Sequence, residues 1–117
     1  MKVELLYTDS CPHYKEALHI LQDILKEIGS DEPITMTMIR TEKDVKEHRF
    51  SGSPTIRINE KDVDPKFKDS GNYGFRCRVY FWEGNFNPFP PAGMIQETIR
   101  SFNETKEKKW KLLKNDL

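Results

Sequence analysis

The chain predicts a single α/β domain. Two observations carry that expectation. Apolar residues switch between short β-branched or aromatic runs and a helical spacing of three and four, in the order strand, helix, strand, short helix, strand, strand, helix. The 117 residues suffice for one compact core and are too few for two ordinary domains.

Val3, Leu5, Leu6 and Tyr7 form an apolar run that ends at Thr8-Asp9-Ser10, which reads as a first strand buried on both faces. Tyr14, Ala17, Leu18, Leu21, Ile24, Leu25 and Ile28 then recur on one helical stripe. Ser10 or Asp9 is the expected cap, Pro12 suits the first turn, and Gly29 supplies the stop. Residues 34–39 alternate Ile34, Met36 and Met38 with threonines, as a half-buried strand should. Thr41 is placed to cap a short helix around Val45. Residues 54–58 form a strand opened by proline, Asn59-Glu60-Lys61 a tight turn, and residues 62–64 a brief returning strand stopped by Pro65. Residues 66–91 are the least regular stretch, and residues 77–82 are their one candidate strand. Pro90 and Pro91 lead into a helix with Met94, Ile95, Thr98, Ile99 and Phe102 on one face. This places the domain in residues 1–103, with a charged helical extension or tail in 104–117.

Composition narrows the function classes. Hydrophobic residues are 36% and charged residues 32% of the chain, a ratio that implies a thin core under a solvated surface. Lys+Arg and Asp+Glu are both 19, and this zero net charge argues against nucleic acid as the main partner. No segment approaches the ~20 apolar residues of a membrane span, and the first residues lack the apolar core of a secretory signal. A cytoplasmic protein without membrane or nucleic-acid partners is expected. Two cysteines are too few for a disulfide framework and give no zinc signature, so no metal ligand set or cofactor is expected.

The chemistry concentrates on Cys11, in Cys11-Pro12-His13-Tyr14, where the first strand gives way to the first helix. Unpaired N–H groups and the positive end of a helix dipole favour a thiolate there, so Cys11 is a candidate nucleophile, expected to be exposed and partly ionised near neutral pH. A second motif is Gly52-Ser53-Pro54-Thr55 before the third strand. The element order and these two motifs together resemble the thioredoxin-like family, in particular short prokaryotic thioredoxin-like proteins with a Cys-Pro-x-Tyr loop. The resemblance covers residues 1–65 and the final helix over 92–103. It implies a minimal thioredoxin fold: a mixed four-stranded sheet flanked by helices, with residues 66–91 as an insertion between the last core strand and the C-terminal helix. It implies a cis bond at Pro54, facing the sulfur, and beside it a docking edge at Ser53 for an extended substrate backbone. Pro12, His13 and Tyr14 would line the substrate side.

The chain departs from the dithiol members of that family, because Tyr14 stands where the second cysteine would be. It also has Asp64-Pro65 where monothiol glutaredoxins carry a Gly-Gly that helps bind glutathione. The missing partner for Cys11 is then sought elsewhere, and Cys77 is the one remaining thiol. If residues 62–64 return to the active-site end of the sheet, the insertion starts near Cys11, and Arg76 and Arg78 would favour a Cys77 thiolate. The expected function is thiol–disulfide exchange or redox sensing, with Cys11 attacking, Pro54 shaping the edge and Cys77 resolving. Its partner would be a protein or a small-molecule thiol or disulfide. Two alternatives stand beside it. A soft ion such as Hg(II) or Cu(I) needs only two thiolates, and a binding module without turnover would use the aromatic cluster Tyr80, Phe81, Trp82, Phe86 and Phe89 as a surface.

Overall fold

The computed structural model describes residues 1–115, with side chains as far as residue 103. The chain runs β1 (Val3–Tyr7), α1 (Tyr14–Glu27), β2 (Ile34–Met38), α2 (Glu42–Glu47), β3 (Thr55–Ile58), β4 (Lys61–Asp62), β5 (Tyr80–Trp82), β6 (Asn85–Asn87) and α3 (Ala92–Asn115). The principal sheet has four strands in the order β2-β1-β3-β4. β1 pairs in parallel with β2 and antiparallel with β3, and β3 pairs antiparallel with β4, so the sheet is mixed. Asn59 and Glu60, both at positive φ, form the tight turn between β3 and β4.

Strand alternation divides the core in two. Val3 and Leu5 of β1, with Ile56 and Ile58 of β3, face α1 and α3 and pack on Leu21, Ile24, Leu25, Met94, Ile95 and Ile99. Leu6 points to the opposite face, where it meets Ile39, Val45 and Phe50. β1 is therefore buried on both faces, as its continuous apolar run requires. Leu21, Ile24 and Leu25, the buried large aliphatics of α1, each contribute about 1.5–3 kcal/mol of burial, and Gly29 ends that helix at φ 68 with Ser30 N–H bonded to the Leu25 carbonyl at 2.9 Å. Thr41 and Asp44 form a reciprocal capping box on α2, which gives this six-residue helix a defined start.

Four expectations need correction. α1 begins at Tyr14, later than the motif suggested, with His13 at its N-cap and no side-chain cap from Asp9 or Ser10. The residue before a proline is disfavoured in helical conformation. Cys11 instead closes a turn onto the Thr8 carbonyl at 3.2 Å, ahead of the helix and not at its first turn. Met36 of β2 is exposed, because β2 is an edge strand in which Ile34, Thr37 and Met38 are only half-buried. β4 is shorter than 62–64, since the Asp62 carboxylate accepts from Asp64 N–H at 2.9 Å and bends the chain toward Pro65. Finally, residues 77–82 do not make one strand. Tyr80–Trp82 pairs with Asn85–Asn87 as a separate hairpin, and Cys77 pairs elsewhere.

The aromatic residues of the insertion are split. Tyr80 is fully buried in the main core and Trp82 and Phe89 pack against it, whereas Phe81 and Phe86 are exposed and contact each other at 5.1 Å. Among the described residues no helix is long and apolar enough to cross a membrane. The apolar and lysine-rich positions beyond residue 103 lie outside the described side chains.

Candidate dithiol site

Ser53 is the hub of the site. It is fully buried, and the Ser53–Pro54 bond is cis. Its hydroxyl accepts a hydrogen bond from Thr8 N–H at 3.0 Å, which ties the third strand's entry to the loop that carries Cys11. Its N–H donates to the Arg76 carbonyl at 2.7 Å, and its own carbonyl accepts from Arg78 N–H at 2.8 Å. These two bonds form an isolated parallel bridge between Ser53 and Cys77. The edge expected to receive a substrate backbone is thus taken by the chain's own insertion.

The bridge brings the two cysteines together. The Cys11 thiol donates to the Ser53 carbonyl at 3.6 Å and is only 1% exposed, against the expectation of an exposed nucleophile. Cys77 is exposed and no disulfide joins the two. A hydrogen bond with the Cys11 thiol pushes the Cys77 thiol above its ordinary value, followed by local burial and by the charge of Cys11. The arginines on either side of Cys77 do not produce the lowered value expected of them. Both have other partners: Arg76 bonds the Asn72 carbonyl at 3.0 Å, and Arg78 is turned away into an ion pair.

That ion pair holds the segment in place. Arg78 Nη1 meets Asp62 Oδ2 at 2.6 Å and Nη2 meets Oδ1 at 3.2 Å, a bidentate arrangement. The side chains are 10% and 6% exposed, and Asp64 lies 3.9 Å from Nη2. Nη1 also donates to Thr55 Oγ1 at 3.2 Å, and the guanidinium stacks over Tyr80 at 4.5 Å and Phe67 at 5.1 Å. Tyr80 in turn donates its hydroxyl to the Pro54 carbonyl. Burial pushes the Tyr80 phenol up, so it remains a neutral donor across the working pH range. Gly52 makes room for this packing: at φ 145, a Cβ there would stand 2.5 Å from Arg78 Cγ and 3.2 Å from the Arg76 carbonyl oxygen.

The rest of the Cys11 loop is less engaged. Pro12 is exposed, His13 Nδ1 faces Glu16 Oε1 at 3.2 Å, and Tyr14 stacks on Tyr7 at 4.3 Å. Tyr14 therefore packs the helix start against β1 in the position where a second thiol was sought. An open groove of about 620 Å³, lined by Thr8, Asp9, Ser10, Met38, Ile39, Arg40 and Phe75, runs beside the loop. Phe75 and Val79, two residues either side of Cys77, are also exposed. Gly52 and Thr55 belong to the motif around Pro54 and Tyr80 to the aromatic cluster, but Asp62 has no role in the sequence reading beyond its short strand. Its local signal was a carboxylate in a short strand, which is uncommon without a partner. Among the described residues no group of three or more His, Cys, Asp or Glu side chains is placed to hold a metal ion. Comparison of the chain with protein-family models, with curated proteins and with solved structures returns no match.

Proposed function

We propose that this chain is a thioredoxin-like thiol–disulfide exchange protein whose working pair is Cys11 and Cys77. The observation that supports it best is the convergence of the two cysteines on Ser53 from segments far apart in sequence, Cys77 through the backbone bridge and Cys11 through its thiol on the Ser53 carbonyl at 3.6 Å. The mixed sheet, with α1 and α3 on one face and α2 on the other, and the cis Ser53–Pro54 bond agree with a thioredoxin fold.

Access sets the order of attack. Cys77 is the exposed sulfur, so it meets the incoming disulfide, reversing the roles expected from the motif. The Cys77 thiolate displaces one substrate sulfur as a thiolate, which takes up a proton, and a mixed disulfide forms on Cys77. The Cys11 thiolate then attacks Cys77 Sγ and releases the second substrate thiol. The products are a Cys11–Cys77 disulfide and two reduced substrate thiols, so the substrate gains the two electrons that the dithiol loses. Cys77 loses its proton late, which makes exchange faster in mildly alkaline solution than at neutral pH.

The test is oxidation of the reduced protein with a small-molecule disulfide, followed by denaturing alkylation and intact-mass analysis. One intramolecular bridge is expected, absent in Cys77→Ser and Cys11→Ser. In the chain-entropy model a loop of this span makes the oxidised form more stable by about 4 kcal/mol. Two free thiols after oxidation, or mixed disulfides that never resolve, refute the pair. A second reading, a binding module without turnover, draws on the burial of Cys11 and the exposed Val79, Phe81 and Phe86. A pair that oxidises but never reduces a protein disulfide such as insulin would favour it.

A further inference from the structure

We propose that reduced Cys11 and Cys77 together bind one soft monovalent d10 cation of the Cu(I) class, in two-coordinate thiolate ligation. The inference rests on the Cys11–Cys77 pair of the proposed function, but not on redox turnover. Three observations carry it.

The first is the donor set. Two thiols meet at Ser53, one bonded to its carbonyl and the other on the segment bridged to its backbone, and no third His, Cys, Asp or Glu among the described residues is placed to complete a larger ligand group. His13, two positions from Cys11, has Nδ1 against Glu16. A structural zinc ion takes four ligands and Ca²⁺ takes six to eight oxygens, so neither is served here. Soft thiolates select Cu(I), and two of them suffice for a linear d10 ion.

The second is geometry. The Cys11 thiol bonds the Ser53 carbonyl at 3.6 Å and Cys77 is bridged to the Ser53 backbone, so both cysteines converge on one residue and a cation bound by both sulfurs would join them there. The two sulfurs are held by separate anchors, Cys11 through its bond to the Ser53 carbonyl and Cys77 through the bridge flanked by Arg76 and Arg78. Much of the ordering that a two-ligand site needs is therefore present before the ion arrives. The third is access: Cys77 is exposed, so an ion has an entry path, while burial of Cys11 shields the ion once bound.

Binding is an exchange of protons and involves no electron transfer. One Cu⁺ and two thiols give one bis-thiolate complex of charge −1 and two released protons. Affinity therefore rises with pH while either thiol still holds its proton.

The experiment uses the full reduced chain under anaerobic conditions, titrated against Cu(I) held by the coloured chelator bicinchoninate. The chain is expected to withdraw one equivalent of Cu(I), with affinity that increases with pH. Cys77→Ser and Cys11→Ser should each weaken binding by more than about a hundredfold, beyond the tenfold to hundredfold typical of losing an outer-shell partner. Cys77 is exposed, so its serine variant keeps the test open if the buried Cys11 variant does not fold. An unchanged chelator colour with the reduced wild-type chain, or a Cys77→Ser variant with wild-type affinity, overturns the proposal. Disulfide formation is scored separately by alkylation. A chain that forms the bridge without holding Cu(I) fails this inference alone, and one that holds Cu(I) without exchanging disulfides fails only the proposed function.

Discussion

Asp62→Asn tests whether the insertion is held by a buried charge pair. The substitution keeps the shape and one acceptor oxygen but removes the charge that faces Arg78 at 2.6 Å. The guanidinium, with a side chain 10% exposed, is left with Asp64 at 3.9 Å as its nearest carboxylate. Breaking a buried pair from one side costs about 3–5 kcal/mol, because a charge stays behind in a poorly solvated place. The retained Asn oxygen and Asp64 put this case at the low end, about 3 kcal/mol. An exposed pair would lose about 0–1 kcal/mol. Urea unfolding of the fully reduced protein at pH 7, followed by circular dichroism, reads the difference. With a slope of about 2 kcal/mol/M for a domain of this size, the midpoint should fall by about 1.5 M. Adding Arg78→Met to Asp62→Asn should recover part of the loss, because methionine leaves no charge to strand. A loss below about 1 kcal/mol in the single variant would refute the reasoning, since the pair would then behave as a solvated surface contact.

Two further outcomes follow from the same contacts. Cys77 alkylation by iodoacetamide, followed by site-resolved mass spectrometry, should rise with pH beyond the range of an ordinary thiol. Cys11→Ala removes both the hydrogen bond and the neighbouring charge that hold the Cys77 proton, so Cys77 should alkylate faster at pH 8 in that variant, by about tenfold for each pKa unit recovered. Equal rates would show that Cys11 has no effect on its partner. Gly52→Ala places a Cβ 2.5 Å from Arg78 Cγ at a φ of 145. A loss of about 2–3 kcal/mol in urea and a lower yield of the oxidised bridge are expected, and an unchanged midpoint would mean that residues 76–78 do not press on Gly52.

What the sequence revealed depended on whether the signal was local. The β1 run, the α1 stripe and the Thr41 cap each express their structure within a few residues, and each formed close to where it was read. The α1 start was misread because the helix rules favoured Pro12 in the first turn, while the restriction on Cys11 before that proline decided the backbone. Cys11 and Cys77 were legible as a candidate pair by counting thiols, and topology put the insertion near the right end of the sheet. The burial of Cys11 was not legible. Exposure of a thiol depends on what packs over it, and the residues that do so come from the third strand's entry and from the insertion, far from Cys11 in sequence.

The flanking arginines show why charge near a thiol cannot be read from spacing alone. In an extended segment, adjacent side chains point to opposite sides. Cys77 faces Cys11, whereas the side chains of Arg76 and Arg78 pass on the other side against Gly52. Proximity in sequence therefore separates these charges from the sulfur instead of placing them beside it. The same alternation gives Arg78 its part in the site. A slip of one residue in the bridge would exchange the two sides, sending Cys77 toward the Asp62 carboxylate and an arginine toward Cys11. The Asp62–Arg78 ion pair, with the Tyr80 hydroxyl on the Pro54 carbonyl, fixes the register in which a thiol, and not a guanidinium, reaches Cys11. An irregular insertion can bring a second sulfur toward Cys11 because a charge pair on its opposite side determines which residue is presented.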